Sequence, residues 1–245
     1  MRVAQFHVNT LPRQLAIYRA LVGVCADTRD RRVVEMTMSR SNPVRTALGR
    51  RRRDLEWIWG LRGQRPRVLW FHWRARRVAW RTGDQFSLSS TTRPADMRVL
   101  LELARDCSRI VEIGTATAWT AITLVLDGQE RRIVTYDTFE RIEPQRYLEL
   151  VRPDVKERIE LVVAPGSTGP RDPQPVDLLY IDSSHEREQT IEEVRAWQPY
   201  LRPGAQIVFD DYANPDYPGV REAIEELGLE GERRGTLFVH RHPDA

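Results

Sequence analysis

The stretch that decides the fold is Arg109-Ile-Val-Glu-Ile-Gly-Thr-Ala-Thr-Ala-Trp-Thr120. Ile110, Val111 and Ile113 make a short apolar run rich in β-branched side chains. Such a run reads as a strand buried on both faces of a parallel sheet. Gly114 permits a sharp turn, and Thr115 to Leu126 reads as a helix. A strand, a glycine turn and a helix open the nucleotide-cofactor site of doubly wound folds. Glu112 falls at the carboxyl end of this strand. The next run, Arg132-Ile-Val-Thr-Tyr136, ends in Asp137, about 20 residues past the turn, where such folds place a carboxylate on ribose hydroxyls.

The glycine pattern narrows the cofactor. A dinucleotide needs G-x-G-x-x-G, because its pyrophosphate must approach the backbone closely. Here Gly114 is followed by Ala118, with no second glycine between them. One glycine suits a cofactor without phosphates, so the reading is S-adenosylmethionine rather than NAD. Its carboxylate and ammonium are expected near Gly114 and its ribose on Asp137. Taken alone, Gly114 also fits the tight turn that any α/β unit needs.

Downstream, the pattern stays regular. A helix over 94–106 leads into the first strand. Helices are expected at 117–126, 144–152, 186–198 and 219–227, and further strands at 132–136, 158–163, 176–181, 205–209 and 235–240. Alternation of this kind predicts an α/β, mostly parallel sheet with helices on both faces. Ligands in such sheets bind outside the carboxyl ends of the strands.

Two further strands end in acids. Val176-Asp-Leu-Leu-Tyr-Ile-Asp182 is followed by Ser183-Ser184-His185, and Ala205-Gln-Ile-Val-Phe209 by Asp210-Asp211. Neighbouring parallel strands would aim Asp182, Asp210 and Asp211 into one crevice. Carboxylates gathered this way repel one another unless a cation sits among them, and an all-oxygen cluster is what Mg²⁺ prefers. Singly, Asp182 also fits a helix N-cap, and Asp210-Asp211 a solvated turn. His185, three residues past Asp182, is the candidate base for a hydroxyl proton. A lone histidine also fits a surface or capping role. Glu186 is a lesser candidate.

The 245 residues carry 38 basic and 35 acidic side chains. Residues 1–85 hold 19 arginines against six acids, a net of +13, so residues 86–245 sum to −10. The split predicts two parts of different character, a basic, mainly helical extension over 1–85 and a second domain over 86–245, with the boundary near Thr82-Gly83-Asp84. In the first part, Leu11–Val24 reads as an amphipathic helix, Arg31–Met38 as a strand or loop, and Arg45–Leu61 as a helix. Arg67-Val-Leu-Trp-Phe-His-Trp-Arg-Ala-Arg-Arg-Val-Ala-Trp80 follows. Five of the seven tryptophans (57, 59, 70, 73 and 80) lie in this part. Basic residues interleaved with aromatics suit nucleic acid or an anionic membrane surface. Equally, the tryptophans suit an accessory layer or a dimer contact, with the arginines solvated.

No run approaches the ~18–20 apolar residues of a membrane span. Met1-Arg-Val-Ala-Gln-Phe has no apolar signal-peptide core. Cys25 and Cys107 are too few for a disulfide framework or a zinc knuckle. A reducing cytoplasm is the simplest expectation, and a homo-oligomer is compatible with it.

Several segments, in order, carry a resemblance: Glu112-Ile-Gly-Thr-Ala-Thr-Ala, Tyr136-Asp-Thr-Phe139, Ile181-Asp-Ser-Ser-His185, Pro203-Gly-Ala-Gln-Ile-Val-Phe-Asp-Asp-Tyr212 and Pro218-Gly-Val220. Over about residues 90–241 the chain resembles the class I S-adenosylmethionine-dependent methyltransferases. Within them it is most similar to the metal-dependent sugar O-methyltransferases of macrolide and aminocoumarin biosynthesis. The resemblance implies a Rossmann-like, doubly wound, seven-stranded sheet. It implies cofactor contacts from Glu112, Gly114, Thr115, Asp137, Gly166, Ser167 and Asp182, with Gly166-Ser167 near the adenine. It also implies Mg²⁺ on Asp182, Asp210 and Asp211, and His185, beside Asp182, as base. Ala118 and Ser183-Ser184 depart from the usual glycines.

The expected reaction is methyl transfer to a hydroxyl of a small molecule, a sugar or phenol. Two rival readings use the basic arm: a nucleic-acid methyltransferase, and a non-catalytic protein that keeps the cofactor fold at a membrane surface. Against the first, Asp182 is followed by Ser-Ser-His rather than the Pro-Pro-aromatic run of amino-methylating base enzymes, and no cysteine follows a proline.

Overall fold

The computed structural model describes residues 43–243. The segments expected at Leu11–Val24 and Arg31–Met38 lie outside the described residues. The chain divides into two compact units between Arg50 and Arg51. Everything below concerns the second, apart from helix α1 (Pro43–Gly60), which begins in the first.

Five parallel strands form the centre: β1 (Arg109–Ile113), β2 (Arg132–Asp137), β3 (Ile159–Val163), β4 (Val176–Ile181) and β5 (Leu201–Phe209). Two more, β6 (Gly231–Arg234) and β7 (Leu237–Arg241), complete a seven-stranded sheet in the order β3-β2-β1-β4-β5-β7-β6. Strand β7 runs antiparallel to both its neighbours. Side chains alternate across each strand. Ile110 therefore joins one core, while Val111 and Ile113 join the other.

The first core lies under helices α2 (Pro66–Thr82), α4 (Pro94–Leu103), α5 (Trp119–Asp127) and α6 (Glu143–Leu148). At its heart Trp119 packs edge-on against Phe71 at 6.2 Å and Tyr147 at 5.1 Å. The second core lies under α8 (Arg187–Trp197) and α9 (Pro218–Glu226). Two short helices, α3 (Gln85–Ser90) and α7 (Pro153–Lys156), fill connections.

The basic, tryptophan-rich run becomes helix α2. Pro66 starts it, where a missing N–H costs nothing. Gly83, at φ 71°, ends it in the left-handed conformation that glycine adopts freely. Its apolar side, Val68, Phe71, Ala75 and Ala79, lies in the same core as α5. The change of charge at 82–84 therefore coincides with no break in packing. Asp84 accepts from the Ser87 backbone N–H at 2.9 Å, from Arg146 at 2.8 Å and from the Tyr147 hydroxyl at 2.7 Å.

Three local expectations change. The helix expected at 144–152 ends at Leu148 as α6, and Pro153 opens a separate short helix, α7, beyond the expected range. Strand β5 begins four residues earlier than expected, running through Pro203-Gly204. The pairing with β4 shifts between Val176 and Leu178, which accommodates that irregular stretch. Strand β6 is additional: Gly-Glu-Arg-Arg is an exposed edge without alternating apolar residues.

Candidate active site

Sheet register brings the acids together. Ile113 pairs with Ile181, and Ile181 with Phe209. The next residue on each strand, Gly114, Asp182 and Asp210, therefore stands side by side at the carboxyl edge. The ladder continues one step there: the Asp182 N–H donates to the Ile113 carbonyl at 2.8 Å, and the Asp210 N–H to that of Ile181 at 2.9 Å. Gly114 has φ +109°, and a β-carbon on it would stand 1.8 Å from the Asp182 carbonyl oxygen. No other residue fits that approach.

The cofactor candidates line the same edge. Asp137, at the end of β2, accepts from the backbone N–H of Ala116 at 3.0 Å and of Phe139 at 3.0 Å, and lies 3.6 Å from Arg141. Its carboxylate is fixed before any ligand arrives. Gly166 and Ser167 form a 3₁₀ turn after β3, and a β-carbon on Gly166 would strike the Ile113 side chain. Glu112 is fully buried and accepts from Thr135, whose hydroxyl also contacts that of Thr115 at 2.7 Å. Burial pushes the Glu112 carboxyl up to about 8, against the Thr135 hydrogen bond. A cation beside it would restore its charge, which suits a ligand carrying an ammonium or sulfonium group.

Asp182 caps no helix. Helix α8 begins at Arg187 with Glu186 in the cap position, and no side chain caps it. Asp182, Asp210 and Asp211 instead surround His185. Its Nε2 lies 3.4 Å from Asp182 Oδ1 and 3.6 Å from Asp211 Oδ2. Neither contact is a hydrogen bond, and this buried nitrogen has no hydrogen-bond partner among the described residues. Burial works against the imidazolium, but Asp182, then Asp211 and Asp210, outweigh it and raise the His185 pKa. The ring stacks on Tyr217, with centroids 4.4 Å apart and planes at 21°. His185 itself sits at φ +62° and Asp211 at φ +54°. Backbone strain of this kind collects at functional sites.

The connecting serines fix the loop. Ser183 donates to Glu193 of α8 at 2.8 Å, and the Ser184 hydroxyl accepts from the Glu186 N–H at 3.3 Å. A cleft of about 320 Å³ opens beside His185 and Tyr217, at the starts of α8 and α9.

Tyr180 is a site residue the sequence reading passed over. Its fully buried hydroxyl lies 2.8 Å from Asp210 Oδ2 and 3.3 Å from Asp182 Oδ2, and contacts Thr92 at 3.4 Å. It stands two residues before Asp182, hence on the same strand face, and that spacing was a usable signal. Thr92 and Tyr217 arrive from distant segments and gave none. Burial, then the charge of Asp182, raises the Asp210 pKa well above the usual carboxylate range. A divalent cation relieves just such crowding, so the donor chemistry fits Mg²⁺. The present arrangement does not gather the oxygens: no three His, Cys, Asp or Glu side chains among the described residues form a metal-ligand set. The imidazole stands between Asp182 and Asp211, and Asp210 is held by Tyr180.

A mostly parallel seven-stranded sheet with reversed β7, a glycine turn after β1 and carboxylates at the ends of β1 and β2 make up the Rossmann-like fold of methyltransferase domains. Residues 111–212 match the sequence profile of the family described as "Methyltransferase domain". Solved structures share the fold. One from Klebsiella pneumoniae, provisionally described as an O-methyltransferase, is 21% identical, with a TM-score of 0.54 over 78% of this chain and 96% of that one. CalS11, a calicheamicin methyltransferase, is 17% identical, with a TM-score of 0.51 over 88% and 98%. One from Staphylococcus aureus, provisionally described as a caffeoyl-CoA O-methyltransferase, is 12% identical, with a TM-score of 0.56 over 68% and 91%. At these identities the likeness is one of fold. No protein with a curated description matches the chain in sequence. Among the described residues no helix is long and apolar enough to cross a membrane.

Proposed function

We propose that the chain methylates a hydroxyl oxygen of a small molecule, a sugar or a phenol, with His185 as general base. The observation that carries this reading is the buried Nε2 of His185, without a hydrogen-bond partner, between Asp182 and Asp211 and one strand from Gly114. Glu112, Gly114, Thr115, Asp137, Gly166 and Ser167 hold S-adenosylmethionine, which supplies the methyl group when bound. Asp182 closes that site on the side of the acceptor.

Each protein group has a defined task. His185 Nε2 takes the proton of the acceptor hydroxyl, and Asp182 and Asp211 stabilise the resulting imidazolium. Tyr217 and the strained backbone fix the ring plane, so the nitrogen meets the hydroxyl in one orientation. Tyr180 orients Asp182 and Asp210. Asp182, Asp210 and Asp211 are the residues that would hold Mg²⁺, whose chemistry there is Lewis-acid stabilisation of the acceptor oxyanion. All these groups lie after residue 85.

The test is transfer of label from S-adenosylmethionine to a panel of sugars and catechols, with and without EDTA. Activity on at least one hydroxyl acceptor, lost in His185→Ala, is expected. Full activity in both EDTA and Asp210→Ala removes the metal from the reading. Full activity in His185→Ala removes the base.

A further inference from the structure

The tryptophan-rich layer divides into two populations. Trp57 and Trp80 are turned inward: Trp57 donates to His72 at 3.3 Å, and Trp80 to Asp54 at 3.0 Å. Trp70 and Trp73 point out from α2, 58% and 38% exposed, and Trp59 of α1 is 69% exposed. Apolar side chains of this size on the surface mark an interaction site when they cluster. Trp70 and Trp73 do cluster, stacked with centroids 4.8 Å apart.

The stripe they belong to is basic. Along the outer side of α2 run Arg67, Trp70, Trp73, Arg77 and Arg81, all exposed. The helix contains five arginines and no acid. Its opposite side is fixed in the core, and Arg76 is paired with Asp54 at 2.6 Å. This is one rigid helix with a buried apolar side and an outer side of indoles and guanidinium groups.

We propose that this outer side of α2 docks on an anionic lipid surface. The ring packing favours lipid over nucleic acid. A base-stacking platform needs free ring faces, but Trp73 has Trp70 on it and the Arg77 guanidinium over its ring at 4.7 Å. A covered Trp73 ring beside an exposed Trp70 is a poor platform for successive bases, while amphipathic indoles suit a bilayer interface. The charge is also complementary: three exposed arginines accompany the pair, and each basic residue near an anionic surface adds roughly fivefold to partitioning. The proposal is independent of the methyl-transfer reading, since none of these residues lies at the carboxyl edge of the sheet.

The test is co-sedimentation of the full chain with vesicles of phosphatidylcholine alone and of phosphatidylcholine with about one third phosphatidylglycerol. Binding to the anionic vesicles alone, weakening as salt rises, is expected. Trp70→Ala/Trp73→Ala and, separately, Arg77→Glu/Arg81→Glu should each weaken it at least tenfold. Both should keep the parent thermal midpoint and the parent affinity for S-adenosylhomocysteine. Equal binding to neutral vesicles, no binding to either, or undiminished binding by both variants overturns the proposal. So does a dimer in light scattering that the tryptophan variant dissolves while vesicles are ignored, or single-stranded RNA captured by this face in their place.

Discussion

Among the described residues, two histidines have opposite surroundings. His72 lies between α2 and the core with both ring nitrogens occupied, Nδ1 by the Trp57 indole and Nε2 by Thr123 at 3.0 Å. Burial, with Arg76 nearby, pushes it down to about 3, so it is neutral at any ordinary pH. His185 sits on a strained backbone, lacks a partner for Nε2 and faces three carboxylates that raise its pKa. A histidine that completes a core has its hydrogen bonds closed and its charge suppressed. On the proposed reading His185 is placed for chemistry, with one nitrogen left without a hydrogen-bond partner and charge arranged around it.

The contrast breaks most visibly in a pair of substitutions. His185→Ala is expected to lower kcat by roughly 10²–10⁴, the ordinary worth of a general base. Its thermal midpoint and its affinity for S-adenosylhomocysteine should stay near those of the parent. His72→Gln is expected to do the reverse, keeping kcat while lowering the midpoint. If His185→Ala unfolds the protein while keeping its turnover per folded molecule, the two histidines have been assigned to the wrong regions.

Acid stability sharpens the same point. The unfolded His72 imidazole titrates near 6.5, and the folded one at about 3. Above pH 6.5 both states are neutral and the full stability is present. Below it the unfolded state takes a proton that the folded state refuses. Stability should then fall by about 1.4 kcal/mol per pH unit until roughly pH 3. Denaturant melts across that window, compared with His72→Gln, isolate this contribution from the carboxylates that titrate there too. Parallel slopes for parent and variant would show that His72 is not held neutral.

Much of this was legible in the sequence because it depends on local periodicity. Five apolar runs gave the parallel strands, Gly114 the turn, and the acids at the ends of β1, β2, β4 and β5 their place at the carboxyl edge. What escaped depends on distance or on polar edges. Gly231–Arg234 pairs only because β7 offers an open edge, and its side chains carry no apolar alternation. Tyr217 and Thr92 reach the site from remote segments. The tryptophan run resisted assignment because it does two jobs at once: its inward residues pack, while Trp70 and Trp73 remain outside. No count of residue types separates those populations; helix phase does.

Two acids repeat the contrast between regions. Asp54, in the α1–α2 layer, has Arg76 and Trp80 as fixed partners. Glu112, at the cofactor edge, has only a hydroxyl and is held protonated up to about pH 8. On the proposed placement, the cationic cofactor draws Glu112 into its ionised form, so binding below pH 8 expels a proton. Affinity for S-adenosylmethionine should therefore fall by up to tenfold per pH unit as pH drops from 8. Glu112→Gln should flatten that dependence and bind more weakly at pH 8.5. A parent affinity independent of pH between about 6.5 and 8 would mean that Glu112 does not answer to the ligand's charge.

The smallest effect tests how tightly the structural histidine is closed. The Trp57 Nε1–H donates to His72 Nδ1 at 3.3 Å, a long contact whose geometry places it at the weak end of the range. Trp57→Phe removes this donor and leaves Nδ1 buried with one partner fewer. The expected loss is about 1 kcal/mol, since an orphaned buried acceptor costs about that much even where the bond was modest. A double-mutant cycle with His72→Gln separates this from indole packing against other residues, because the coupling carries only what the two rings share, the hydrogen bond and their contact at 6.4 Å. A positive coupling of roughly 0.5–1 kcal/mol ties Trp57 to the closed state of His72. Zero coupling would mean that Thr123 alone fixes the ring. The inward tryptophans would then serve only as bulk, and the division of that layer would rest on Trp70 and Trp73 instead.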